Sequence, residues 1–137
     1  VQTCALPIYA ENRAEKIYIY SDLEEGALMA RPAFRIDGKF YTDNDWDRAI
    51  REGKESSSLT KEEKRDISLT ILCYSYAVRE LCVQYKRAVP TVIKLIYDAK
   101  TRQVRAQYGY ERLKSLSEYD DNIRCRMWFD EIRTNNL

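Results

Sequence analysis

The dipeptide Asp37-Gly38 constrains the fold of this chain more than any other short stretch of its sequence. It lies between Phe34-Arg35-Ile36 and Lys39-Phe40-Tyr41, two runs rich in strand-forming residues. Asp followed by Gly supplies the positive φ angles that a two-residue type I′ turn requires. The sequence therefore predicts a β-hairpin here, whose first strand covers residues 27–36.

Alternation of side chains predicts a further strand before this hairpin. In residues 16–23, Ile17 and Ile19 alternate with Tyr18 and Tyr20, and β-branched and aromatic residues favour a pleated surface. Pro32 lies within the strand over residues 27–36. Because proline cannot donate a ladder hydrogen bond, it predicts an edge or a bulge at that position.

A second hairpin is predicted for residues 91–98 and 103–110, joined by residues 99–102. The later strand has two different faces. Val104, Ala106, Tyr108 and Tyr110 share one face, while Arg105 and Gln107 take the other.

A long helix is predicted between the two hairpins, over residues 61–88. Thr60 and Glu63 fit a capping box at its start, and Pro90 is expected to end it. Apolar residues recur every three or four positions and predict a deeply packed helix. They form a stripe of Ile67, Ile71, Tyr74, Val78, Leu81 and Tyr85, widened by Leu69, Leu72, Cys73 and Tyr76.

A final helix is predicted to follow a capping box at residues 117–120 and to reach about Arg133. Ile123, Met127 and Ile132 are its expected core contacts, with Trp128 alongside.

Strands and helices alternate in blocks along the chain, which predicts an α+β fold. The expected architecture is an antiparallel sheet of about five strands in two hairpin units, packed by one long central helix and a C-terminal helix. A chain of 137 residues suffices for one domain, assigned to residues 9–137. Reverse translation of residues 1–8 reproduces the end of a common short-read sequencing adapter. These residues are therefore expected to be an artefact that replaces the native N-terminus.

The chemistry-bearing residues give no sign of catalysis. Histidine is absent, which excludes Ser-His-Asp and Cys-His mechanisms. The 4 glycines are dispersed, so there is no Gly-rich phosphate loop, and the carboxylates single out no catalytic pair. Arg48 and Lys54 occupy the positions where a calcium loop beginning at Asp43 would need Gly and Glu. The sequence thus predicts a protein that is not an enzyme and that uses no cofactor and no metal.

Charge and cysteine content bear on partners and location. The 23 basic and 22 acidic residues nearly balance, so nucleic-acid binding is not expected. No apolar run approaches the roughly 20 residues that span a bilayer, so no membrane association is expected. Cys4, Cys73, Cys82 and Cys125 lack C-x-x-C spacing and are interpreted as buried free thiols in a reducing cytoplasm.

The densest acidic cluster comprises Asp43, Asp45, Trp46 and Asp47, at the start of a predicted short helix over residues 43–52. Carboxylates at a helix N-terminus oppose the positive end of the helix dipole, which is a purely structural explanation. An acidic surface with an aromatic anchor also suits a basic protein partner. Both interpretations are compatible with one another.

Three segments resemble the YezG-like antitoxin and immunity family. Glu15-Lys16-Ile17-Tyr18-Ile19-Tyr20 resembles that family's first strand, of the type W-E-K-x-Y-L-Y, with Ala14 where the Trp stands. Residues 90–110 (PTVIKLIYDAKTRQVRAQYGY) resemble its second hairpin, and residues 126–132 (RMWFDEI) resemble its closing segment. The similarity covers most of residues 15–132.

The resemblance implies a cytoplasmic bacterial protein that binds and neutralises a cognate toxin C-terminal domain, often a nuclease. A basic nuclease would favour an acidic face. That partner-binding face is predicted at Asp43, Asp45, Trp46 and Asp47, extended by Asp22, Glu24 and Glu25.

Two other functions remain open. A general α+β interaction domain without a toxin would show several weak partners, or self-association through a strand edge near residues 27–33. A nucleic-acid module would stack bases on strand tyrosines beside Arg35 and Arg105.

Overall fold

The computed structural model describes residues 14–24, 29–42, 61–112 and 121–137, which form five strands and two helices. In chain order these are β1 (Ala14–Asp22), β2 (Met29–Ile36), β3 (Lys39–Thr42), α1 (Lys61–Gln84), β4 (Val92–Asp98), β5 (Gln103–Gly109) and α2 (Asp121–Asn135). The sheet has the order β3-β2-β1-β4-β5, and every neighbouring pair is antiparallel. The predicted α+β fold is confirmed.

Some predictions fall outside the described residues. They are the artefact at residues 1–8, the short helix over residues 43–52, Thr60 of the first capping box, and the second capping box at residues 117–120.

The first hairpin turns as its sequence predicts. Asp37 and Gly38 have φ angles of 50° and 75°, the pair of positive values that defines a type I′ turn. The register then pairs Ile36 with Lys39 and Phe34 with Tyr41.

Replacing Gly38 by Ala is expected to lower the free energy of unfolding by about 1–2 kcal/mol, the cost of a left-handed residue with a Cβ. No atom lies within 4 Å of the added methyl group, so the cost comes from the backbone alone. Gly38→Asn is the matched control for urea denaturation, because Asn tolerates positive φ. Equal midpoints for the wild type and Gly38→Ala would contradict this interpretation.

Pro32 lies where β2 is an edge of the described sheet. It pairs with Ile19 of β1, whereas β3 pairs with β2 only from Ala33 to Ile36. Its missing N–H therefore breaks no ladder among the described strands, as predicted. The irregularity in β1 lies elsewhere, between Ala14 and Lys16.

The second hairpin is confirmed. The predicted first strand begins one residue too early, at residue 91, and the predicted second strand ends one residue too late, at residue 110. In its turn, Asp98 Oδ1 accepts hydrogen bonds from the backbone N–H of Thr101 (3.1 Å) and of Lys100 (2.9 Å). These bonds, that from Thr101 foremost, lower the pKa of Asp98. Arg102 adopts a φ of 56° and completes the reversal.

Strand β1 separates two hydrophobic cores. Ile17 packs in one core with Ile67 and Ile71 of α1, while Tyr18 and Tyr20 pack in the other with α2. Because successive side chains of a strand point to opposite faces, α1 and α2 cover opposite faces of the sheet.

The predicted end of α1 is wrong by four residues. The helix ends at Gln84, before Pro90, in a Schellman motif. Lys86 has a φ of 53°, its N–H donates to the Val83 carbonyl (3.2 Å), and the Arg87 N–H donates to the Cys82 carbonyl (2.8 Å). The backbone therefore satisfies the last carbonyls without a glycine.

Deep packing of α1 is confirmed only for its first half. Ile67 and Ile71 are buried, but Tyr74, Leu81 and Tyr85 are 46, 53 and 68% exposed. The Ser75 hydroxyl contacts that of Ser21 at 3.0 Å, so α1 runs along β1. Ser21 is the last residue but one of β1, whereas α1 continues from Ser75 to Gln84. The last turns of α1 therefore pass the end of the strand.

The residues expected to widen the predicted apolar face of α1 are not part of the core. Leu69 and Tyr76 are each 47% exposed, Cys73 is exposed and Leu72 is half-buried. The prediction of buried thiols holds for Cys125 but not for Cys73.

Helix α2 presents Trp128, rather than Met127, to the core. Trp128 is 6% exposed and Ile132 is fully buried, whereas Met127 is 57% exposed. The buried residues Cys125, Trp128, Phe129 and Ile132 define one face of α2. Met127 points about 160° away from Cys125 at the centre of that face, so it faces outwards. Ile123 is half-buried.

Candidate binding surfaces

Most of the predicted acidic face lies outside the described residues. This applies to Asp43, Asp45, Trp46, Asp47 and Glu25. Their role in partner binding stays a prediction.

Asp22, which was predicted to extend that face, lies in the interior. Its side chain is 0% exposed, and its Oδ2 lies 3.4 Å from Nη2 of Arg124 on α2. Its Oδ1 accepts a hydrogen bond of 2.9 Å from the backbone N–H of Glu24. A buried carboxylate with these partners offers no surface to another protein, so we assign Asp22 to the fold.

Glu24 borders a shallow cavity beside the last turns of α1. The cavity has a volume of about 540 Å³ and is lined by Leu23, Glu24, Arg79, Val83, Val89, Pro90, Thr91 and Arg112. The half-buried Glu24 thus stands close to the exposed end of α1.

The strand tyrosines and arginines do not form the base-stacking face that a nucleic-acid module would need. Tyr18 and Tyr20 are buried beneath α2, and Arg35 is 9% exposed. Arg105 and Tyr108 lie three residues apart on β5 and therefore point to opposite faces. Among the described strands, no exposed face combines these tyrosines with these arginines.

The buried tyrosines act as hydrogen-bonding groups. The Tyr18 hydroxyl donates to the Leu137 carbonyl (3.1 Å) and accepts a bond from Arg35 Nε (3.2 Å). Burial raises the pKa of Tyr18, although the bond from Arg35 opposes the rise, and burial raises the pKa of Tyr20 to about 12. Burial beneath α2 thus disfavours the ionised form of both side chains.

A polar groove of about 550 Å³ runs between α2 and the β4–β5 hairpin. Its floor includes Lys94, Arg105 and Gln107, and Trp128 forms part of its wall. The Lys94 ammonium lies 6.0 Å from the centroid of the Trp128 ring. This half-open groove places cationic and amide side chains beside one aromatic edge.

The clearest exposed aromatic surface lies on α1. Tyr74, Leu81 and Tyr85 follow one another at spacings of seven and four residues, so they lie on one side of the helix, and we call them the α1 stripe. All three are at least 46% exposed. Interface hot spots are rich in Tyr, and exposed apolar patches mark interaction sites. The α1 stripe is therefore a candidate protein-binding surface, which the sequence pattern alone assigned to the core.

Strand β5 forms an exposed border of the sheet. Within the described strands it pairs with β4 only, and its residues from Gln103 to Tyr108 are exposed. Val104 pairs with Tyr97, which packs against the α1 core, so Val104 and Tyr108 face the α1 side.

No protein-family model matches the chain, and no curated protein matches it. The described residues contain no group of three or more Cys, Asp or Glu side chains placed to hold a metal ion. In the same part of the chain, no helix has the length and apolar character needed to cross a bilayer.

Proposed function

We propose that this chain is a non-catalytic immunity protein that binds and neutralises a bacterial toxin domain. The observation that carries the proposal is the α1 stripe, three large side chains held in a row on a packed helix yet 46 to 68% exposed. Tyrosine gives a large contact area at a small cost in conformational entropy. Such a surface suits tight binding to one protein partner.

The resemblance to YezG-like immunity proteins supports the choice of a toxin as that partner. Its three segments lie on β1, on the β4–β5 hairpin and on α2, elements that build the sheet and one of its two covering layers. In this proposal the fold presents α1 as a rigid surface, which reduces the ordering cost of association. The acidic face at residues 43–47 would attract a basic toxin.

The proposal is tested by identifying the toxin gene and then co-expressing it with this chain. Sequencing the locus with long reads through the start of this gene identifies a neighbouring toxin domain, which is then expressed with and without this chain. We expect the toxin to arrest growth alone, and the pair to grow and to purify as one complex. Growth arrest that persists in the presence of this chain, or a locus without a toxin gene, would overturn the proposal.

Within that complex, Leu81→Ala combined with Tyr85→Ala is expected to weaken toxin binding by at least 30-fold, the effect of about 2 kcal/mol at a hot spot. Leu69→Ala combined with Tyr76→Ala is the matched control. Tyr76 points about 180° away from Tyr85 around the helix, and its exposed fraction is 47%. Calorimetric titration that gives equal losses for the two double variants would remove the α1 stripe from the interface.

The acidic face is tested in the same titration with Trp46→Ala, Asp45→Asn and Asp47→Asn. A loss confined to these variants would place the interface there while leaving the immunity function intact.

A further inference from the structure

Strand β5 has the properties of a strand that pairs with another chain. It is seven residues long, contains no proline, and keeps an unbroken register with β4 from Gln103 to Gly109. Its outward N–H and C=O groups pair with no other described strand. Bulges, prolines and very short edge strands are among the usual protections against edge pairing, and β5 has none of these three. Arg105 is its one charged residue.

We propose that β5 pairs antiparallel with β5 of a second copy of this chain, about a two-fold axis through Ala106. This dimer is independent of the proposed immunity function, because it uses the edge of the sheet and leaves the α1 stripe uncovered.

The side chains of β5 select this register. An axis through Ala106 aligns the two strands over their whole length and sets Val104 opposite Tyr108 of the partner subunit. Pairs of aromatic and β-branched side chains stabilise antiparallel strands. Arg105 then lies opposite Gln107 of the partner subunit, so no like charges meet.

The neighbouring registers are less favourable. An axis through Arg105 sets two guanidinium groups directly opposite each other, which is destabilising. An axis through Gln107 pairs only residues 105–109 of β5 with one another and leaves Val104 outside that overlap. An axis between two residues would pair side chains that point to opposite faces of the joined sheet.

The dimer would extend the polar groove. Arg105 and Gln107 form part of its floor in one subunit, and the axis brings the same residues of the partner subunit next to them. Both α2 helices then stand on the same face of a ten-stranded sheet, because a two-fold axis normal to the sheet preserves its faces. The two grooves join into one polar channel between the two Trp128 side chains.

The first test is sedimentation equilibrium of the purified chain up to about 200 µM, where a reversible dimer is expected from mass action. Gln107→Glu should tighten the dimer about tenfold, since two Arg–Glu pairs form across the axis. The gain should shrink at high salt. Gln103→Lys is the matched control. Like Gln107→Glu, which lies opposite Lys94, it places a charge opposite an oppositely charged residue of its own subunit, here Asp98. Residue 103 lies opposite Gly109 of the partner subunit, so this change should leave the dimer unchanged.

The second test is cross-linking in a background with Cys4, Cys73 and Cys82 replaced by Ser. Ala106→Cys should be cross-linked into a dimer by a bifunctional thiol reagent that spans about 5 Å, since directly opposite residues of an antiparallel pair have Cβ atoms about 5 Å apart. Val104→Cys should not, because its symmetry mate lies four residues along the strand.

A chain that stays monomeric in sedimentation, with no more cross-linking at Ala106→Cys than at Val104→Cys, would overturn the proposal. So would a dimer that responds equally to Gln107→Glu and Gln103→Lys, since it would use another surface. Preferential capture of a foreign strand by β5, with no self-association, would also refute the dimer.

Discussion

Replacing Asp22 by Ala is expected to lower the free energy of unfolding by about 3 kcal/mol, the usual cost of breaking a buried ion pair. The loss leaves the Arg124 guanidinium, whose side chain is only 13% exposed, without this carboxylate. It also removes the acceptor of the Glu24 backbone N–H. Urea denaturation monitored by circular dichroism measures the change.

The chain offers a control with the same ion-pair distance. Asp130 and Arg133 are also 3.4 Å apart, but their side chains are 69 and 50% exposed. Asp130→Ala should therefore cost less than about 0.5 kcal/mol. Asp22→Leu combined with Arg124→Leu should cost less than Asp22→Ala alone, because no charge is left without its partner. Equal losses for Asp22→Ala and Asp130→Ala would show that burial of the first pair is not what stabilises it.

Replacing Trp128 by Ala is expected to cost about 3–5 kcal/mol, the range for large aromatic residues in a core. The Trp128 ring centroid lies 5.6 Å from that of Phe129, 6.1 Å from that of Tyr20 and 6.5 Å from that of Tyr18. Its removal leaves a cavity between α2 and the sheet. Urea denaturation monitored by circular dichroism also measures this loss in the free energy of unfolding.

Met127 supplies the control for Trp128, because it is adjacent in sequence but 57% exposed. Met127→Ala should change the free energy of unfolding by no more than about 0.5 kcal/mol, as surface substitutions usually do. A large loss for Met127→Ala with a small loss for Trp128→Ala would mean that α2 packs with a different face towards the sheet.

Local interactions explain why the sheet could be predicted from the sequence. The Asp37-Gly38 turn depends on two residues, and the second hairpin depends on Asp98 and the four residues after it. Period-two alternation then fixes which side chains share a face, as it does for Val104 and Tyr108. Each of these signals lies within about ten residues of chain.

Burial along the helices could not be predicted in the same way. Helical periodicity places Ile71 and Leu81 on neighbouring sides of α1, but it carries no information on where the sheet beneath them ends. The end of α1 could not be predicted from the sequence either. Its left-handed residue is Lys86, whereas glycine is the residue that usually marks such a helix end.

The candidate binding residues could not be predicted from local sequence patterns either. Asp22 looks like a surface carboxylate in the sequence, next to Glu24 and Glu25. Its partner Arg124 is 102 residues away along the chain, and no local pattern signals that pairing. The α1 stripe was missed for the opposite reason, since its spacing is identical to that of a buried stripe.

The alternation of β1 between the two cores has a consequence for how the chain avoids wrong structures. A slip of one residue would turn Tyr18 and Tyr20 towards α1 and would bring Ile17 and Ile19 beneath α2. The same slip would carry the Asp22 carboxylate to the face opposite Arg124 and bury its charge without compensation. Misregistered forms of β1 are thus unstable on both sides at once, because the alternating pattern of these nine residues fits α1 and α2 in one register only.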